Sequence, residues 1–255
     1  WDQWLADAKG ALLVADVAGE PVALGHLTMV NADEGWIEGI RVAEAARGNG
    51  IGGGMVRALV AAARERHATV ARSFTEEANA VARALFVRQG FSLVAELVRY
   101  TGEPLAEAPD ALSVVRTPGP DDLPRLWDWL EQSNLTPMNG GLTFSFWAGQ
   151  AMTESLLAAA LAAGEVTTLE DFGAVAALSV AAPYEVAGDR YLEVRYIDGQ
   201  ADGLSRLGQA LRARAHTQGL ARVELWLPDA LILRDAMDGA GFTRRDLMVV
   251  YAHEF

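Results

Sequence analysis

Arg47-Gly48-Asn49-Gly50-Ile51-Gly52-Gly53-Gly54 is the most unusual stretch of this 255-residue chain. Five of its eight residues are glycine, yet Ile51, Met55, Leu59 and Ala62 follow at helical spacing. A glycine-rich loop therefore opens a helix over Gly48–Arg66. Each glycine inside a helix costs about 1 kcal/mol relative to alanine, so a run of them in a first turn asks for a reason. One reason is an anion site: bare backbone lets N–H groups approach a phosphate, and the helix dipole adds positive potential. The other is a flexible turn with no ligand.

The surroundings of the loop separate the nucleotide-type motifs. A Walker A loop needs Lys and then Ser or Thr after its last glycine, and Gly53 and Gly54 stand there instead. Gly48-x-Gly50-x-x-Gly53 matches a dinucleotide fingerprint, but that motif follows a strand at once in a parallel βαβ unit. Here five residues separate the loop from the strand Trp36–Val42. Two earlier strands, Ala11–Val17 and Val22–Val30, form an antiparallel hairpin around Ala18-Gly19-Glu20-Pro21. Downstream come a strand at Thr69–Phe74, a helix at Asn79–Gln89 stopped by Gly90, and a strand at Leu93–Thr101.

Arg47-x-x-Gly50-x-Gly52 after an antiparallel strand, with Asn79 and Leu85-Phe86-x-x-x-Gly90-Phe91 behind it, resembles the GNAT family of acyl-CoA-dependent N-acetyltransferases. The resemblance covers about residues 11–101. It implies that the loop amides of Arg47, Gly48, Asn49, Gly50, Ile51 and Gly52 hold the pyrophosphate of acetyl-CoA. It also implies that the strand before the loop, through Ile40, Arg41 and Val42, pairs with the pantetheine arm. A backbone N–H near Val42 would polarise the thioester carbonyl. Asn79 and Phe86 would lie beside the cofactor. Glu38 stands where some family members carry a catalytic glutamate, sharing a strand face with Trp36 and Ile40. A carboxylate there can take the proton of an attacking amine, directly or through water. As a plain strand residue it would simply be solvated; Glu34 and Glu44 are the fallback bases. Family members often place a tyrosine, acid for the departing thiolate, where this chain has Phe86.

The second half repeats the first at an offset of about 150 residues, the mark of a duplicated domain. Tyr191-Leu192-Glu193 matches Trp36-Ile37-Glu38, and Leu204–Ala215 matches Met55–Arg66. The expected organisation is an N-terminal domain over 1–101, a Pro-containing linker over 102–111 and a C-terminal domain over 112–255. The expected class is α+β: two tandem GNAT folds, each a mostly antiparallel mixed sheet flanked by helices. In the second copy the loop position reads Asp198-Gly199-Gln200-Ala201-Asp202-Gly203. Two acidic residues oppose a phosphate there, and Asp202 can cap the helix itself. That copy is expected to keep the fold without binding acetyl-CoA. Trp127, Trp129, Trp147 and Trp226 could line a groove in it or anchor its core. The tandem layout resembles that of the mycothiol synthase group in architecture only.

Composition bounds the rest. A net charge of -13 argues against nucleic acid as a partner. Without cysteine there is no covalent acyl-cysteine route, and the four scattered histidines suggest no metal. No apolar run reaches the roughly 20 residues of a membrane helix. The cytoplasm is the expected compartment, a homodimer is compatible with the sequence, and the acceptor would be a small-molecule or peptide amine. Residue 1 is Trp, and only ten residues precede the first hairpin, so the chain reads as starting downstream of its natural start. The expected activity is acetyl or short-acyl transfer to a primary amine by direct attack; the rival is a non-catalytic acyl-CoA-binding module.

Overall fold

The structure is a computed structural model that describes residues 2–106, 114–145 and 147–255. In chain order the elements are α1 (Asp2–Ala6), β1 (Ala11–Val17), β2 (Glu20–Met29), β3 (Glu34–Val42), α2 (Ile51–Glu65), β4 (Val70–Glu76), α3 (Ala80–Arg88) and β5 (Ser92–Gly102). Then come β6 (Val114–Arg116), α4 (Leu123–Glu131), α5 (Leu135–Met138), β7 (Leu142–Ser145), β8 (Ala148–Ala151), α6 (Glu154–Ala162), β9 (Val166–Asp171), β10 (Ala174–Val186) and β11 (Asp189–Gly199). The chain closes with α7 (Ala201–Thr217), β12 (Val223–Pro228), α8 (Leu231–Gly239) and β13 (Phe242–Glu254). Half of the expected linker, residues 107–111, and the first two residues of the expected C-terminal domain lie outside the described residues.

The chain forms two compact units, and one cut in the sequence does not separate them. Of the described residues, unit 1 holds those within 2–94, 148–150 and 248–255, and unit 2 those within 95–147 and 151–247. In unit 1, β1, β2 and β3 are antiparallel neighbours, β3 and β4 run parallel, and β4 pairs antiparallel with Met248–Glu254 of β13. In unit 2, β6, β9, β10 and β11 are successive antiparallel neighbours. There β11 and β12 run parallel, and β12 pairs antiparallel with Leu97–Gly102 of β5. Each unit is therefore a mostly antiparallel sheet with one parallel pair, flanked by helices, which is the α+β class expected.

Local chemistry explains the elements. The first hairpin turns at Ala18 and Gly19, both with positive φ, and Asp16 Oδ1 accepts from Gly19 N at 2.8 Å. Phe172-Gly173 and Ala187-Gly188 make the same kind of turn at the ends of β10. The Asp122 carboxylate accepts from Gly119 N at 3.0 Å, across a short 3-10 turn, Pro120–Asp122, that leads into α4 at Leu123.

The apolar face of α2 buries Met55, Val56, Leu59 and Ala63 against Leu27 and Ile37 of the sheet. The same core contains Phe86 and Phe91, and also Val249 and Tyr251 from the end of the chain. Tyr251 is 3% exposed and stacks on Phe86 with ring centroids 5.8 Å apart. The N-terminal core is thus completed by the last strand of the chain. Truncating a buried aromatic of this kind costs on the order of 3 kcal/mol. Tyr251→Ala should lose about that much in urea unfolding, and deleting residues 248–255 should abolish hydrogen-exchange protection of the β4 amides.

Candidate functional site

The parallel pair of unit 1 is short. Glu34, Gly35 and Trp36 of β3 pair with Val70, Ala71 and Arg72 of β4, and among the described residues the ladder stops there. Beyond Trp36, β3 runs on to Val42 still paired with β2, while β4 pairs along its other edge with β13. A gap therefore opens beside the second half of β3. The β2–β3 register shifts between Leu24 and His26, so Gly39 and Ile40 together oppose Gly25 in a bulge. Gly39 has φ +65, and a side chain there would also collide with the Trp4 ring. Both conditions call for glycine.

The bulge corrects one expectation. Ile40 does not share a face with Trp36 and Glu38; it packs with the α2 core, 3.3 Å from where a Cβ on Gly25 would be. The extra residue flips the strand's alternation. At the end of β3, Ala43 N donates to Val22 O of β2 at 2.8 Å. Alternation then turns the Val42 N–H away from β2, toward the gap. The Val42 carbonyl accepts from Arg47 Nε at 3.1 Å, and Arg41 donates to Ile40 O at 3.1 Å.

Residues 43–50 connect β3 to α2 through a 3-10 turn, Glu44–Ala46, and then the glycines. Gly48 and Gly50 have φ of +80 and +77, and a Cβ on either would meet nothing within 4 Å. Their glycine is required by backbone sign, not by crowding. Asn49 Nδ2 lies 3.4 Å from the carbonyls of Ala46 and Arg47. Gly50 is the N-cap of α2 and supplies no side-chain cap. The first helical bond runs from Gly54 N to Gly50 O at 3.0 Å, so the N–H groups of Ile51, Gly52 and Gly53 point out of the helix end. This end carries the positive pole of the helix dipole and is bare backbone, a fit for a pyrophosphate.

On the sheet face away from α2, Glu38 is held by two donors. Thr28 Oγ1 donates to its Oε1 at 2.8 Å, and His26 Nδ1 donates to the same oxygen at 3.1 Å. His26 is 1% exposed, and its Nε2 lies 3.5 Å from Asp7 Oδ2, long for a hydrogen bond. Trp4 stacks on the His26 ring at 5.0 Å and an interplanar angle of 7°. Glu38 itself keeps 24% of its side chain exposed, enough to reach water or a ligand. His26, Thr28 and Asp7 escaped the sequence reading because only the β2–β3 register brings them to Glu38. Of the fallback bases, Glu34 is buried in an ion pair with Arg72, and Glu44 sits exposed on the 3-10 turn.

The remaining candidates have structural tasks. Asn79 Oδ1 accepts from Ala82 N at 3.1 Å and so caps α3. Phe86 is 4% exposed, with ring centroids 5.3 Å from Phe91 and 5.8 Å from Tyr251. No metal-binding group of three or more His, Cys, Asp or Glu occurs among the described residues, and no described helix is long and apolar enough to cross a membrane.

A family model described as "Acetyltransferase (GNAT) family" matches residues 1–91. The open parallel pair, the bulged strand and the glycine-started helix all fall within that match. The chain has the GNAT fold. A GCN5-related N-acetyltransferase from Sphaerobacter thermophilus is similar at 17% identity and TM-score 0.65, over 96% of this chain and 80% of that one. A putative acetyltransferase from Thermoplasma acidophilum is similar at 18% identity and TM-score 0.59, over 100% and 81%. A tandem GNAT protein from the clavulanic acid biosynthesis pathway is similar at 16% identity and TM-score 0.54, over 98% and 84%. No curated protein matches the sequence.

The second GNAT copy, in unit 2, keeps a short parallel ladder but not the loop. Its parallel ladder spans Leu192–Val194 and Val223–Leu225. Only Gln200 separates β11 from α7, where unit 1 has residues 43–50. A Cβ on Gly203 would lie 2.6 Å from Ala176 O, and Gln200 N points to the same carbonyl at 3.4 Å. The helix start is therefore packed against β10. Helices α4 and α6 bury Leu126, Leu130 and Leu157 on one sheet face with Leu178 and Tyr196. Leu135, just after α4, instead joins the core of α7 and α8 with Ile197, Leu227 and Met237.

Two expectations about this copy change. Asp202 does not cap α7, whose N-cap is Gln200; it pairs with Arg206 at 2.7 Å. Asp198 turns inward, 2% exposed, and accepts from Ser133 Oγ at 2.6 Å and Tyr196 OH at 2.8 Å. Burial pushes the Asp198 carboxyl above the ordinary range, although these donors oppose the shift. A raised folded value means the stability contribution is complete below the unfolded pKa and is lost as pH rises through the folded one. Urea unfolding across this window should show wild-type stability falling with rising pH, and Asp198→Asn should remove that slope. Gly39→Ala should destabilise unit 1 by about 1–2 kcal/mol from the left-handed backbone alone, checked by urea unfolding.

Proposed function

We propose that unit 1 transfers an acyl group, acetyl or another short chain, from an acyl-CoA to a primary amine. The observation that carries this is a coincidence of two openings in one unit. The uncapped glycine start of α2 stands at the end of the same strand whose free edge faces the β3–β4 gap. A pyrophosphate on the amides of residues 48–53 would direct the rest of an acyl-CoA along that edge.

The bound thioester supplies the acyl group; the residues of this chain supply the remainder. The Val42 N–H, aimed into the gap, donates to the carbonyl oxygen where negative charge develops. Glu38 accepts the proton of the attacking amine, directly or through one water. Thr28 and His26 hold the Glu38 carboxylate by one oxygen and leave the other side of the group to solvent and substrate. Phe86 has no proton to give, so water protonates the departing thiolate. Arg41 and Arg47, both exposed at the mouth, add positive charge for the phosphates.

The absence of an acid at Phe86 favours a second reading, an acyl-CoA-binding module without turnover. Thiol release from acetyl-CoA with a panel of primary amines decides between them, since binding without release on any amine supports the module. Glu38→Gln should lower kcat by about 100-fold and leave CoA affinity unchanged. Gly52→Asp puts a negative charge at the α2 start, where a Cβ has ordinary contacts of 3.6 Å to Leu85 and 3.8 Å to Val42. It should weaken CoA binding at least about tenfold with little change in Tm. Titration calorimetry on the full chain should give one CoA per chain; two would overturn the assignment of the second copy.

A further inference from the structure

A second polar space lies in unit 2, on the sheet face that meets α7. Leu169 of β9 belongs to the α7–α8 core, so by strand alternation Thr167 faces the same way. Val115 of β6 pairs directly with Leu169 and shares that face, and Thr117 follows two residues later. Val115, Thr117 and Thr167, with Ala210 and Arg214 of α7, line a cavity of about 280 Å³.

Arg214 is the one charged residue among the described residues of its lining. Its Nη2 donates to Ala181 O at 3.3 Å, and it forms no ion pair with a described carboxylate. Glu165 acts on it electrostatically, but that carboxylate is paired with Arg195. Arg206, about two turns earlier on the same helix, has both Asp171 and Asp202 at 2.7 Å. The end of α7 does not occupy the Arg214 guanidinium either, because its last carbonyls accept from the chain itself. Ala213 O accepts from Thr217 Oγ1 at 3.1 Å, Arg214 O from Gln218 N at 3.0 Å, Ala215 O from Leu220 N at 2.9 Å and His216 O from Gly219 N at 3.0 Å. Burial lowers the Arg214 pKa, partly opposed by Glu165. A cation drawn out of water without a counter-charge is costly, and a bound anion offsets that cost. Thr167 is 7% exposed, and neither its hydroxyl nor that of Thr117 has a hydrogen-bond partner among the described residues.

We propose that this cavity is a binding site for a small carboxylate, gripped by the Arg214 fork and the Thr167 hydroxyl, with a short apolar body against Val115 and Ala210. A guanidinium with an unused edge offers a carboxylate two parallel N–H donors. The Thr167 hydroxyl adds a third donor. An organic cation would meet Arg214 with no carboxylate in the lining to offset the repulsion. One guanidinium matches one negative charge, so a monocarboxylate suits the site better than a sulfate or phosphate dianion. The site lies within unit 2 and does not depend on acyl transfer in unit 1.

The test uses amide NMR spectra of the full chain at constant ionic strength. Isobutyrate, its neutral counterpart isobutyramide, and sulfate are each titrated to tens of millimolar. Isobutyrate should bind in the millimolar range and shift the signals of Gly164, Thr167 and Arg214, while the other two should not bind. Arg214→Gln should weaken isobutyrate at least about tenfold, the loss of a charge-assisted fork. Thr167→Val should weaken it about threefold with no loss of Tm, the loss of one hydrogen bond. Arg245→Gln, elsewhere in the same unit, should leave the affinity as it was. If Arg214→Gln does not fold, Arg214→Lys takes its place, since it keeps the charge and loses the fork. Undiminished binding in the Arg214 variant, equal binding of isobutyramide or sulfate, no binding of isobutyrate, or shifts confined to residues away from the cavity would each overturn the proposal.

Discussion

Two parallel strands that hydrogen-bond for three residues and then separate create a problem that the rest of each unit must solve. Backbone donors and acceptors along the freed edge cannot stay unsatisfied in a protein interior. In unit 1 the β3–β4 ladder ends at Trp36, and the strand bulges at Gly39, which re-aims its side chains. In unit 2 Leu135 joins the core under α7 and α8, and Ser133 and Thr136 donate to the buried Asp198 at the end of β11. One constraint met in two ways accounts for the divergence of the copies better than loss of single loop residues does.

The loop and the gap also depend on each other. An uncapped helix start is a cost unless something supplies acceptors for its N–H groups. The connection over residues 43–50 sets that helix start away from its sheet, whereas the single-residue connection at Gln200 presses the α7 start onto Ala176. A short connection thus supplies an internal acceptor for an N–H of the helix start, and a long one leaves those N–H groups for an anion. The acidic residues that seemed to repel a phosphate in the second copy have other work, Asp198 in a buried network and Asp202 in a surface ion pair.

The elements around the first loop were legible nearly to their ends, because hairpin turns, a helical apolar stripe and Gly90 are local signals. The position of Glu38 was legible too, but not its company. His26 lies 12 residues away in sequence and meets Glu38 only through a β2–β3 register containing a bulge. The bulge also moved Ile40 to the opposite face, since strict alternation fails wherever one extra residue enters a strand. The exchange of terminal strands was invisible for a plainer reason. Nothing local in Met248–Phe255 says that it pairs with Val70–Glu76 instead of closing the domain that precedes it.

The sequence by itself determined the duplication, the class of each copy, the glycine-started helix and the loss of that loop in the second half. These follow from periodicity, turn residues and glycine placement, which act within a few residues. Only the tertiary structure decided which edge opens, how the α7 start packs in the second copy and which side chains gather on Glu38. Those outcomes depend on register and on contacts between distant segments, and a shift of one residue in a strand reverses the face that every side chain presents.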